Sequence, residues 1–136
     1  MKKRIRNSTK IMENDLKSVN NRKNMKFKRN NTNLKEKIIL ANDTLWNTYQ
    51  YIHNHIVVEN DVTLTISNST DFYAGVKITL TDGAKLIVDN ATLNNVTIDA
   101  QSGSIIELDN GATIYTNNGF FVPKGVILAL INGKIL

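Results

Sequence analysis

Lys77-Ile-Thr-Leu-Thr-Asp-Gly-Ala-Lys-Leu-Ile-Val-Asp-Asn90 decides the architecture: apolar and polar residues alternate on both sides of one Asp-Gly break. Alternation with period two marks a strand with one buried face, and Asp-Gly between two such runs marks a turn. The layout recurs every 20 to 22 residues. Upstream it reads Ile56 and Val58, a turn at Asn60-Asp61, then Leu64, Ile66 and Asn68. The quoted stretch repeats it with Ile78, Leu80, Leu86, Val88 and Asn90. Downstream it returns as Ile98, Ala100, Ile106, Leu108 and Asn110, and again as Phe120, Val122, Leu128, Leu130 and Asn132. A third, less regular strand is expected around Phe72, Leu93, Ile114 and Ile135. Three short strands per repeat predict an all-β fold, a parallel β-helix (β-solenoid) of about four rungs over residues 56–136. One rung alone buries too little to offset the entropy of ordering it, so stacking must supply the rest.

The column Asn68, Asn90, Asn110 and Asn132 is expected to be structural, an asparagine ladder. Asn tolerates left-handed backbone at tight turns, and its amide reaches the equivalent amide one rung away. A ligand-binding row of amides is the functional alternative. Asn68-Ser-Thr70, Asn90-Ala-Thr92 and Asn95-Val-Thr97 also match the N-glycosylation triplet, which the composition of the repeat suffices to explain.

Outward from the repeat, residues 38–55 lead into the solenoid and are expected to cap it. Ile38-Ile39-Leu40 and Tyr49-Gln-Tyr-Ile52 read as strands, and Trp46 as a bulky cover over the first rung. Residues 1–37 carry 13 Lys+Arg against 3 Asp+Glu, whereas residues 38–136 carry 4 against 9, so the net +5 belongs to the N-terminal part. With eight asparagines and sparse large apolar residues, residues 1–37 are expected to form a disordered basic tail. Its only aromatic is Phe27, which gives no stacking platform, so a solvated leader is expected rather than a nucleic-acid contact or an anionic membrane contact.

The 136 residues and 41% apolar content suit one domain, and the absence of cysteine rules out disulfides and thiolate metal sites. No run of signal-peptide or membrane-spanning character stands out.

Val62-Thr-Leu-Thr-Ile66, Phe72 and the stretch from Lys77 to Leu93, preceded by Asp43-Thr-Leu-Trp-Asn47, resemble the β-helix segments of large secreted and cell-surface bacterial proteins, many of them type IX secretion cargo. The resemblance covers residues 43 to 136, and Gly83-Ala-Lys-Leu-Ile-Val-Asp89 is among its most specific parts. It implies a right-handed parallel β-helix in an extracellular or cell-surface setting, consistent with the handedness of parallel crossovers. It implies no particular activity, because such segments serve as stalks, adhesive surfaces and scaffolds. The relatives it points to normally carry a signal peptide and a C-terminal sorting domain, and neither is visible here. The last rung runs to Leu136 without a polar capping segment, which leads us to expect a fragment of a longer protein, with end-to-end self-association through that rung as the alternative.

Parallel β-helices also carry polysaccharide lyases and pectin-type hydrolases, where clustered carboxylates do the work. Here no arginine follows Arg29, and Asp61, Asp82, Asp89, Asp99, Glu107 and Asp109 fall mostly at turns. Asp89 and Asp109 share a rung position and would suit a calcium ion, but solvated turn acids are the expectation. His53 and His55 alternate, so both imidazoles would share a face. No third ligand is apparent, and surface histidines are expected.

No catalytic, cofactor-binding or metal-binding residue is assigned from the sequence. The expected function is a non-catalytic structural or interaction module, a stalk or adhesion scaffold with a glycan or protein surface as its contact. The alternatives are a fragment of a carbohydrate-active β-helix enzyme and a self-assembling filament subunit of the kind bactofilins represent.

Overall fold

The alternating runs become strands that stack in parallel. The computed structural model describes residues 35–136, and among these residues there are thirteen strands and no helix. The first coil holds β1 (Lys35–Leu40), β2 (Thr44–Trp46) and β3 (Gln50–Ile52). The second holds β4 (Asn54–Val58), β5 (Thr63–Ile66) and β6 (Thr70–Phe72). In the third come β7 (Lys77–Leu80), β8 (Lys85–Asp89) and the first half of β9 (Thr92–Ala100). The second half of β9 opens the fourth coil, followed by β10 (Ile105–Asp109) and β11 (Ala112–Thr116), and the fifth holds β12 (Ile127–Leu130) and β13 (Gly133–Ile135). Every strand pairing is parallel, and the protein is a parallel β-solenoid of about five turns.

Three faces result. The first stacks β1, β4, β7 and the end of β9, the second stacks β2, β5, β8, β10 and β12, and the third stacks β3, β6, the start of β9, β11 and β13. Register brings like residues together: Ile56, Ile78 and Ile98 adjoin on the first face, and Leu64, Leu86, Ile106 and Leu128 on the second. The inward residues of the middle coils form one buried core, in which Ile56, Leu64, Ile66, Ile78, Leu80, Leu86, Leu93, Ile106, Leu108 and Ile114 lose all contact with solvent. Removing both sides of these aliphatic layers from water is the main stabilising contribution.

The corner between the first and second faces is a four-residue turn whose third residue is left-handed in four successive coils: Asp61 (φ 63°), Gly83 (79°), Gly103 (92°) and Gly125 (83°). Each turn closes with an i to i+3 bond, Val62 N–H to Glu59 at 3.0 Å, Ala84 to Thr81 at 2.9 Å, Ser104 to Gln101 at 3.0 Å and Val126 to Pro123 at 3.2 Å. The turns also bond to one another, with Gly83 N–H donating to the Gly103 carbonyl at 3.1 Å and Gly103 N–H to the Gly125 carbonyl at 2.8 Å. Each glycine leaves room for a polar side chain of the coil before it: Asp61 lies over Gly83, Asp82 over Gly103 and Ser102 over Gly125.

The corner between the third and first faces varies, which is why the repeat length drifts. In the second coil it is a turn with left-handed Gly75 (φ 89°). In the third coil Asn95 (φ 66°) is a one-residue bulge, since Tyr115 pairs with Asn94 but Thr116 with Val96. β9 therefore turns the corner unbroken and joins the first and third faces into one eight-stranded sheet.

Several details differ from the expectation. The segment 38–55 is built as a full coil, and Trp46 is a half-buried inward residue paired with Ile66. Strand pairing starts at Lys35, because β1 aligns with β4 and Asn54 Nδ2 donates to the Glu36 carbonyl at 2.6 Å. The expected disordered tail otherwise lies outside the described residues. Phe120 and Val122 form no strand, and Val122 is 49% exposed just before Pro123, which has no N–H for a ladder. On the third face Leu93 pairs with Thr70, not Phe72, a two-residue step accommodated by burying Thr70 with its hydroxyl donating to the Asn68 carbonyl at 3.2 Å.

Two kinds of substitution separate corner from core. Gly111 is left-handed with open space around it, so Gly111→Ala should cost about 1–2 kcal/mol from backbone conformation alone. Gly103→Ala should cost more, because its Cβ would meet the Asp82 carboxylate, and adding Asp82→Ala should recover that excess and no further stability. Leu86→Ala should cost about 2–5 kcal/mol by opening a cavity. Urea denaturation followed by circular dichroism measures all four, and equal losses for the two glycine variants would contradict the stacked-corner account.

Candidate functional site

With the interior filled by aliphatic side chains, chemistry has to reside on the outward positions, and the three faces differ in what they show. The second face presents the aliphatics Leu45, Ile87, Ile105 and Ile127 and the surface ion pair Lys85 Nζ–Glu107 Oε1 at 3.5 Å, a contact worth little in water. On the first face lies an open groove of about 430 Å³ bordered by Lys37, His55, Lys77, Thr79, Asp99 and Gln101. The third face is aromatic and polar.

All four tyrosines of the chain, Tyr49, Tyr51, Tyr73 and Tyr115, lie on the third face or at its rim. Register explains the gathering: Tyr51, Asp71, Asn94 and Tyr115 occupy one column on the outward side of their strands. The His53 ring stands between two tyrosines, tilted against Tyr51 with centroids 4.4 Å apart and stacked on Tyr73 at 5.3 Å. At the centre, Asp71 accepts bonds from the Tyr49 hydroxyl at 2.7 Å and from Asn94 Nδ2 at 2.8 Å. Those two bonds, Tyr49 first and Asn94 second, hold the Asp71 carboxyl below the usual carboxylate range. The same contact raises the Tyr49 phenol, so at neutral pH the pair is a carboxylate accepting from a neutral hydroxyl. In the first four coils the outward positions here are Tyr51, Ser69, Asp71, Thr92, Asn94, Thr113 and Tyr115, without one aliphatic residue.

The candidates raised by the sequence take other roles. His53 and His55 do not converge: His53 stacks between tyrosines, while His55 Nδ1 accepts the Lys77 backbone N–H at 3.1 Å on the first face. Asp89 and Asp109 are register partners, but Asp89 accepts Asn110 Nδ2 at 2.6 Å and Asp109 accepts the Asn110 backbone N–H at 2.8 Å. No group of three or more His, Asp or Glu side chains among the described residues is arranged to hold a metal ion. The amides of the expected ladder bond to other partners, Asn110 to the Asp89 carboxylate and Asn68 to the Asn47 carbonyl at 3.3 Å. Asn90 and Asn110 are left-handed, with φ 50° and 55°, so the backbone argument holds for two of the four. The triplet asparagines Asn68, Asn90 and Asn95 are exposed, and Asn95 donates to the Phe72 carbonyl at 3.3 Å.

The tyrosine face escaped the sequence reading because its members are scattered along the chain. The available signal was spacing: Tyr51 and Tyr73 are one repeat apart, as are Asp71 and Asn94. No family model, curated protein or solved structure matches this chain.

Tyr49→Phe removes the larger bond to Asp71 and keeps the ring. The Asp71 carboxyl should then titrate at higher pH, as followed by its side-chain carbon resonance in NMR, and an unchanged titration would show that the hydroxyl does not reach the carboxylate in solution.

Proposed function

We propose that this chain is a non-catalytic structural and interaction module, a short stalk or scaffold that presents contact surfaces on rigid coils. The observation that carries this reading is the third face and its rim, where the rings of Tyr51, His53 and Tyr73 contact one another, Tyr51 exposed on the paired strand β3 and His53 and Tyr73 partly buried just beyond β3 and β6. Rings held this way offer large contact area with little entropy left to lose.

The acid chemistry favours binding over turnover. Asp71 is held ionised by donors, the opposite of the raised carboxyl a general acid needs near neutral pH. Asp89 and Asp109 are engaged at a corner with Asn110. The resemblance of Gly83-Ala-Lys-Leu-Ile-Val-Asp89 and its surroundings to β-helix segments of type IX secretion cargo supports placing the module at a cell surface or outside the cell.

Incubation with polygalacturonate, alginate, xylan and β-glucan, assayed for new reducing ends and for unsaturated uronate absorbance, tests the non-catalytic reading. No product above the blank is expected. Product formation that Asp71→Asn or Asp99→Asn abolishes would replace this proposal with an enzymatic one.

A further inference from the structure

We propose that the third face binds a neutral polysaccharide, with Tyr51, His53 and Tyr73 as a stacking platform and Asp71 and Asn94 as its hydrogen-bonding edge. The inference rests on the interaction-module reading and names its ligand class.

A pyranose ring presents C–H bonds on its faces and hydroxyls around its rim. Aromatic faces, rich in π-electron density, attract the former, and carboxylate and amide groups pair with the latter. The third face offers both within one patch. An ionised carboxylate has about four lone-pair sites, and Tyr49 and Asn94 each occupy one on different oxygens of Asp71, so both oxygens still accept from neighbouring hydroxyls. Asn94 adds its amide oxygen and second N–H. His53 wedged between Tyr51 and Tyr73 holds the rings in place before a ligand arrives, which lowers the entropy lost on binding.

The side-chain types distinguish a sugar from a protein partner. A protein-docking patch of this fold would draw on outward aliphatics, and those are on the second face at Leu45, Ile87, Ile105 and Ile127 and on the first at Ile39 and Val57. Charge selects a neutral chain over an acidic one. Asp71 is ionised at the centre of the patch, and residues 38–136 carry nine acids against four lysines, so uronate or sulfate groups would meet repulsion. The column Tyr51, Asp71, Asn94 and Tyr115 runs along the axis through four coils stacked about 4.8 Å apart, a length suiting a polymer more than a single sugar.

The test uses the full chain at roughly 0.15 M salt. Isothermal titration calorimetry is run with galactomannan, mixed-linkage β-glucan, dextran and, as the acidic comparison, polygalacturonate. Binding to at least one neutral polymer is expected. Tyr51→Ala and Tyr73→Ala should each weaken it by about tenfold, whereas Tyr51→Phe retains most of it. Leu45→Ser, on the second face, should leave it unchanged, and thermal melting by circular dichroism should show all variants folded. The inference is overturned if none of the neutral polymers binds, if both tyrosine-to-alanine variants bind like the parent, or if only polygalacturonate binds and raised salt abolishes it, which would assign binding to the lysine-rich N-terminal residues. Absence of binding together with absence of turnover removes the sugar ligand and leaves the non-catalytic module standing, whereas turnover removes both.

Discussion

One coil lies flat on the next only if the backbone turns at the same place in both, and a left-handed residue in the turn between the first and second faces of the second to fifth coils secures this. Asp61, Gly83, Gly103 and Gly125 occupy equivalent places, and the peptide groups of the three glycines bond from coil to coil. Parallel strands cannot be joined by a tight hairpin, so every pairing here depends on corners that repeat with the same geometry. With the corners aligned, inward side chains meet their equivalents in register, and the aliphatic interior follows. A residue unable to adopt positive φ at one of these turns would misplace all the strands after it relative to those before.

That division of labour leaves the exterior free. Outward positions have no packing partner to satisfy beyond the neighbouring coil, so each face carries its own chemistry: mixed charge around the groove of the first, aliphatics on the second, tyrosine and amide on the third. The Tyr49–Asp71–Asn94 contacts join three successive coils through side chains alone, since each group comes from a different turn of the solenoid. Core packing and surface chemistry are thus built from opposite sides of the same strands.

The inward register was legible because it is periodic. Ile56, Ile78, Leu86, Val88, Ile106 and Leu108 are buried where alternation places them. The first coil was harder to see, because Trp46 replaces an aliphatic and Gln50 and Ile52 do not repeat the pattern of later coils. Phe120 and Val122 matched the spacing yet form no strand, since Pro123 interrupts the ladder beside them. The asparagine column was predicted from backbone preference and amide pairing together. Backbone preference acts at Asn90 and Asn110, while the amides of Asn110 and Asn68 bond to the Asp89 carboxylate and the Asn47 carbonyl. The third face was the least legible feature: a tyrosine, a histidine and an aspartate from adjacent coils carry no local motif, and only the two-residue register step at Leu93 aligns Asp71 with Asn94.

The unbroken passage of β9 around a corner bears on how the solenoid responds to load. Elsewhere a coil can be peeled away one strand at a time, because each strand ends at a turn that acts as a hinge. Across the third and fourth coils there is no such hinge, so loosening the first face there also strains the third. A pull along the axis that unravels either end therefore meets this seam, and the middle of the molecule behaves as a splice that holds while terminal coils yield, the first of them taking Tyr51 with it.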